Sequence, residues 1–134
     1  GIDFTVGWDN WDELDNIFIS VKDVGGAPIV TDWKDTYHYA AGFQYKLNDD
    51  WDVTAGIAYD TNVVSASERV PELPIDEQIR YNAGARYHMS DSLMVGGYVN
   101  YTDLGSAKID ADLWSGEYST NEMFQISIFA NWTL

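Results

Sequence analysis

Three residues in this chain carry the chemistry to attract an anionic ligand. Lys34 and Arg80 have permanent positive charges, and His38 becomes charged when it is protonated. Such groups can bind a carboxylate while apolar neighbours contact a hydrocarbon chain. We therefore take Lys34, His38 and Arg80 as the candidate ligand-binding residues. The competing interpretation, which we favour for Lys46 and Arg86, is an interior ion pair, because unpaired charge away from water is costly.

Catalytic and metal-binding motifs are absent from the sequence. It has no G-x-S-x-G, no H-E-x-x-H and no glycine-rich phosphate loop before a helix. Ser20, Ser92 and Ser127 have no neighbouring motif that would activate a nucleophile. The segment Asp110-Ala111-Asp112 lacks the spacing of oxygen ligands found in EF-hand calcium sites. We expect no enzyme activity, no catalytic residue, no metal site and no cofactor.

The elements that position these residues are indicated by strict alternation of side-chain type. In residues 33–47 the odd positions are mostly apolar or aromatic, and the even positions are polar, basic or small. Successive side chains of a strand point to opposite faces, so one face is apolar and the other polar. Rings near both ends of the apolar face are typical of a membrane-spanning strand, and we interpret them as interfacial anchors. The other alternating segments are 2–8, 17–22, 51–60, 78–89, 92–101 and 124–134.

These seven segments predict an all-β fold, a transmembrane antiparallel up-and-down β-barrel. Short links at 9–13, 48–50 and 90–91 alternate with long links at 23–32, 61–77 and 103–121. This asymmetry is typical of bacterial barrels, whose long loops face outwards. If the chain ends at the periplasmic rim, the first strand would descend. Because bacterial barrels usually have an even number of strands, an odd count predicts that residues 1–134 are part of a larger barrel.

The lengths of the short turns predict which residues face one another across neighbouring strands. The predicted pairs are Lys46 with Asp52, His38 with Asp60, Arg86 with Gly96, and Gly84 with Tyr98.

Composition excludes several other classes of protein. The net charge of −15 argues against nucleic-acid binding, which needs a basic surface. Apolar residues make up 46% of the chain, but the mean hydropathy is −0.28 and no apolar run reaches the roughly 18 residues of a helical span. A soluble barrel or β-sandwich would carry Lys and Glu on its outer face. The polar face here is rich in Gly, Thr and Asn instead, which favours the membrane wall.

Four segments give the chain a resemblance to one family. Residues 32–42, D-W-K-D-T-Y-H-Y-A-A-G, look like the W-K-D-T-x-x-Y-x-x-G strand of the FadL-type long-chain fatty-acid transporters. Residues 54–60, T-A-G-I-A-Y-D, are similar to the R-A-G-V-A-Y-D strand of that family, with Thr54 in place of Arg. Residues 69–74, R-V-P-E-L-P, resemble its R-x-P-x-[IL]-P segment, and residues 8–11, W-D-N-W, resemble its W-x-x-W turn.

The resemblance implies a channel in the outer membrane of a Gram-negative bacterium. Residues 1–134 would be the C-terminal portion of a barrel of about 14 strands, with the N-terminal hatch and the first strands absent. The expected ligands are fatty acids or other hydrophobic small molecules, which members of the family pass by diffusion. Lys34, His38 and Arg80 would meet the fatty-acid carboxylate in the outer half of the lumen. We also expect a monomer that contacts outer-membrane lipid and lipopolysaccharide and binds no nucleic acid.

Two other interpretations stay open at this point. The chain could be a small stand-alone outer-membrane barrel with a structural or adhesive role, which would require an eighth strand within residues 103–121. It could also be an outer-membrane lipase or protease, which would require a nucleophile and a base that the sequence does not reveal.

Overall fold

The chain forms ten β-strands in the part described by the computed structural model, which comprises residues 1–11, 16–21, 25–30, 33–69, 71, 74–111 and 114–133. Within these residues no helix is long and apolar enough to cross a membrane. The strands are β1 (Ile2–Asp9), β2 (Asn16–Val21), β3 (Gly25–Val30), β4 (Thr36–Lys46), β5 (Trp51–Asp60), β6 (Gln78–His88), β7 (Leu93–Asp103), β8 (Ala107–Ala111), β9 (Trp114–Tyr118) and β10 (Glu122–Trp132).

Six of the strands form one antiparallel sheet in the order β1-β4-β5-β6-β7-β10. Five of these six have 10 or 11 residues, which is the length that a tilted strand needs to cross a bilayer. The strands β2 and β3 form a separate hairpin, and so do β8 and β9. The prediction of an all-β antiparallel up-and-down wall is confirmed.

One strand of the predicted wall was assigned wrongly. Residues 17–22 alternate in sequence, but β2 pairs with β3, and β1 pairs directly with β4. The connection from β1 to β4 therefore runs over residues 10–35, and the predicted short turn at 9–13 does not join two wall strands. Alternation shows only that a strand has two unlike faces, and the six residues of β2 are too few to span a bilayer. Lys22 lies outside the described residues.

The corrected topology reverses the direction predicted for the first strand. The amide N–H of Gln44 donates to the carbonyl of Gly1, so the start of β1 lies beside the turn at 47–50. The strand β1 thus runs from the end of the sheet with short turns to the end with long connections. The link at 103–121 contains the β8–β9 hairpin, which is a sheet of its own and adds no further strand to the wall.

The register of the six strands places most apolar side chains on one face of the sheet and most polar ones on the other. Phe4 lies opposite Ala41, which lies opposite Ile57, and the pairing continues through apolar residues to β10. The side chains on this apolar face are open to the surroundings, with Phe4 79% and Ile128 87% exposed. A surface of this kind is stable only against lipid or another apolar layer. Aromatic pairs sit near both of its ends, such as Trp51–Tyr87 and Tyr81–Tyr101, as interfacial anchoring requires.

Most of the buried residues of the described chain lie among the long connections, and the exception is Thr102 in β7. Val64, Ala107 and Ile109 are the buried apolar residues of that part, and Arg69 is buried between them. Three backbone contacts join the connections: Trp33 bridges Val64, the N–H of Asp110 donates to Ala66, and the N–H of Asp76 donates to Leu104. The described residues of the long connections that make these contacts, within 33–34, 63–69, 74–76 and 104–110, therefore pack together at a single end of the sheet. We call them the outer layer.

Candidate functional site

The polar face of the sheet carries small residues in its middle and charged residues towards both ends. Its central row runs through Gly42 and Gly56 to Asn82, so little side-chain volume projects from the middle of β4 and β5. The predicted cross-strand pairs are all present in the register: Lys46 with Asp52, His38 with Asp60, Arg86 with Gly96, and Gly84 with Tyr98. Two clusters of ionisable groups flank this row, one beside the outer layer and one beside the short turns.

The outer cluster is centred on Asp60, the last residue of β5. Oδ1 of Asp60 lies 2.8 Å from Nδ1 of His38, and Oδ2 accepts a charge-assisted hydrogen bond from Nη2 of Arg80. The same Nη2 lies 3.4 Å from the His38 ring nitrogen, so the three side chains form one contact network. Each of the three is half-buried. Asp60 therefore compensates the charge of Arg80.

Two of the three predicted site residues are thus brought together, and the third stands apart. His38 and Arg80 share Asp60, whereas Lys34 lies in the outer layer with its side chain exposed. The backbone N–H of Lys34 donates to the carbonyl of Val63 at 2.8 Å, which fixes its position next to the connection between β5 and β6. Within the described residues no ion pair joins the Lys34 ammonium to another group.

A cavity of about 330 Å³ opens between Arg80 and the outer layer. Its apolar wall is formed chiefly by Trp11, Trp33, Val63 and Ile75. The indoles of Trp11 and Trp33 pack edge to face with their ring centroids 5.7 Å apart. The indole N–H of Trp11 donates to the Thr36 hydroxyl at 3.0 Å, which holds this ring against the start of β4. The cavity therefore combines this apolar wall with a polar lining that includes Arg80 and three aspartates, namely Asp9, Asp60 and Asp76.

The inner cluster contains the same three residue types in a different arrangement. Oδ2 of Asp52 lies 2.9 Å from Nε2 of His88, whereas Nη2 of Arg86 is 3.7 Å from the same oxygen. The ammonium of Lys46, predicted as an interior ion-pair partner, pairs with Asp49 in the adjacent turn at 3.0 Å. The prediction of an ion pair holds for Arg86 at this longer distance.

Sequence reasoning gave no role to Arg69, which holds the outer layer together. Its side chain is 1% exposed, and it donates to the carbonyls of Lys108 at 2.6 Å and Val64 at 3.3 Å. A third contact of 3.2 Å joins it to the carboxylate of Asp76, which lines the cavity. The only signal in the sequence was its place at the start of the R-V-P-E-L-P segment.

Comparison with known proteins gives three similarities. The family model described as outer membrane protein transport protein (OMPP1/FadL/TodX) matches residues 2–127. A protein of Neisseria meningitidis serogroup B, whose name places it in the outer membrane, is 30% identical over 86 residues, which cover 60% of this chain and 18% of that protein. The crystal structure of a Pseudomonas aeruginosa FadL homologue superposes with a TM-score of 0.72 at 19% identity over 96% of this chain and 30% of that one. The chain thus spans less than a third of either relative.

Proposed function

Because the chain belongs to the outer membrane protein transport family (OMPP1/FadL/TodX), we propose that it forms part of the wall of a channel for hydrophobic compounds. Its location is the outer membrane of a Gram-negative bacterium, as the sequence predicts. The observation that carries the proposal is the combination of an apolar face towards lipid with a polar face that leads to a largely apolar cavity. Long-chain fatty acids are the proposed ligands, and they pass by diffusion without a catalytic step.

The rest of the barrel is proposed to come from further strands of the same protein. In the described residues, β1 and β10 each pair with one neighbour only, so both sheet edges carry backbone groups without a strand partner. Such edges are not tolerated in hydrocarbon, where each unsatisfied polar group costs several kcal/mol. This supports a sheet that closes through additional strands, with these six as the C-terminal portion. In a monomer surrounded by lipid and lipopolysaccharide, closing the sheet into a barrel would give the backbone groups of both edges their hydrogen-bond partners.

Within the outer half of the channel, we assign the polar end of the ligand to Lys34, His38 and Arg80. The exposed ammonium of Lys34 would attract a carboxylate to the outer layer, and the cavity beside Arg80 would accept the hydrocarbon chain. Asp60 already occupies His38 and Arg80, so an incoming carboxylate must compete with it. The outer cluster would therefore hold an anionic ligand weakly and release it readily.

Uptake into proteoliposomes that contain the full-length protein tests the proposal. Replacing Lys34 and Arg80 together (K34Q/R80Q) should slow uptake of dodecanoate severalfold and leave uptake of an uncharged hydrocarbon unchanged. Equal loss for both compounds would refute the role of the basic residues. Absence of uptake of either compound by the unmodified protein would refute the channel itself.

A further inference from the structure

The two Asp–His–Arg clusters on the polar face have the same composition, but the arginine is hydrogen-bonded to the aspartate in only one of them. Asp52 and Asp60 lie eight positions apart on β5, which corresponds to roughly 27 Å along an extended strand. Both carboxylates are contacted by a histidine and by an arginine. The clusters therefore stand near the two ends of any path that follows this face.

In the outer cluster both carboxylate oxygens of Asp60 are engaged, and Arg80 makes a hydrogen bond to one of them. His38 contacts one oxygen of Asp60, and Arg80 donates to the other. In the inner cluster His88 contacts Oδ2 of Asp52 at 2.9 Å, and Arg86 is left 3.7 Å from that same atom. A separation of 3.7 Å exceeds the range of a hydrogen bond.

The Arg86 guanidinium consequently keeps its donors free within the described part of the chain. It makes no hydrogen bond to those residues, and its Nε is buried without a partner. A guanidinium has five N–H donors in a planar fork, and leaving a donor without an acceptor away from water is costly. The side chain is 34% exposed on the polar face, so a ligand in the lumen can reach it.

The residues next to Arg86 offer a surface for a hydrocarbon chain. Gly96 lies opposite Arg86, and Phe129 lies opposite Gly96 on the next strand. A Cβ on Gly96 would lie 2.6 Å from Cζ of Phe129, so this ring covers the glycine. Both Phe129 and the neighbouring Tyr98 expose more than a third of their surface. A carboxylate at Arg86 would therefore have aromatic surface within reach of its tail.

We propose that Arg86 is a second, inner binding site for the carboxylate of an amphiphilic ligand, whose chain lies over Gly96 and Phe129. The planar fork of arginine matches a carboxylate in two parallel hydrogen bonds. The ligand need not displace Asp52, because His88 already holds that side chain. At Arg86, unlike at the outer cluster, an anionic ligand would meet donors that are not hydrogen-bonded to the described residues. This inference rests on the proposed channel function.

Equilibrium dialysis of radiolabelled dodecanoate and 1-dodecanol against the full-length protein in a non-ionic detergent tests the inner site. Arg86→Gln should weaken dodecanoate binding by about tenfold or more, which is the usual effect of losing a charge-assisted hydrogen bond. Binding of 1-dodecanol, which has the same chain without the charge, should change by less than about twofold. The matched control R80Q removes the arginine of the outer cluster and should weaken dodecanoate binding less than R86Q does.

The outcomes distinguish failure of the inner site from failure of the channel function. If the unmodified protein binds both compounds and R86Q binds dodecanoate equally well, the inner site is refuted and the channel function stands. Equal weakening of both compounds in R86Q also refutes it, since a charge-specific contact cannot affect the alcohol. If the unmodified protein binds neither compound, the proposed function fails together with the inner site. Should R86Q not fold, R86K decides, because it keeps the charge, loses the fork and should weaken dodecanoate binding alone.

Discussion

Removing the Asp60 carboxylate should make the outer cluster a better site for an anionic ligand. In Asp60→Asn the shape of the side chain is kept, but Arg80 and His38 lose the negative charge that now occupies them. An incoming carboxylate would then interact with Arg80 without first displacing a competitor. The prediction is thus a gain of binding from the loss of a half-buried ion-pair partner.

The size of this gain follows from the exposure of the pair. Two unit charges 4 Å apart interact by about 4 kcal/mol at an effective dielectric constant of about 20. Because the side chains of Asp60 and Arg80 are 25% and 37% exposed, solvent screening reduces this to about 1 kcal/mol, the upper end for exposed pairs. Since 1.4 kcal/mol corresponds to a factor of ten, the outer cluster of D60N should bind dodecanoate about fivefold more tightly.

The assay is the same equilibrium dialysis, with 1-dodecanol as the uncharged ligand. The matched control is Asp3→Asn, which removes one negative charge from the polar face at a position opposite Gly42, where no described cation pairs with it. D3N should leave both affinities unchanged. If D60N weakens dodecanoate binding, or if D3N and D60N strengthen it equally, then Asp60 does not compete for Arg80 and the reasoning is wrong.

Two further predictions concern the wall and the outer layer. Ile128→Arg places a charge on the apolar face and should cost about 2–4 kcal/mol of stability in the bilayer. The neighbouring substitution S127R, on the polar face, should be tolerated. Urea unfolding of the full-length protein in lipid vesicles measures both, and an equal loss of stability would mean that the faces are assigned wrongly. Arg69→Met removes the contacts of Arg69 with Val64, Lys108 and Asp76, so residues 61–77 should become accessible to protease. The control is E68Q, which changes an exposed neighbouring residue. If R69M is cleaved no faster than the unmodified protein, Arg69 does not hold the outer layer together.

The wall could be predicted from the sequence because the side-chain period of a strand is two. That period fixes which residues share a face, and together with short turns it also fixes the register, as the pairing of His38 with Asp60 shows. The same signal failed at residues 17–22, because alternation does not identify the partner of a strand. Only length separated the short strand β2 from the wall strands.

The contacts of the site were less predictable than its register. The sequence placed Asp60 opposite His38, but Arg80 reaches Asp60 diagonally from the next strand, and this contact depends on side-chain conformation. The role of Arg69 depends on how the connection 61–77 packs against the β8–β9 hairpin, a long-range contact that no local pattern encodes. Turn length determines which residues lie opposite one another on neighbouring strands. Side-chain conformation and packing between the connections determine which side chains come into contact.

The two clusters show why composition alone does not define a binding site. Both contain one aspartate, one histidine and one arginine on the same face of neighbouring strands. In the outer cluster the histidine and the arginine contact different oxygens of Asp60, so both are paired with this carboxylate, and a ligand must compete with it. In the inner cluster His88 and Arg86 approach the same oxygen of Asp52, and only the histidine comes within hydrogen-bond distance. Arg86 therefore keeps donors that an anionic ligand can use without displacing Asp52 from His88.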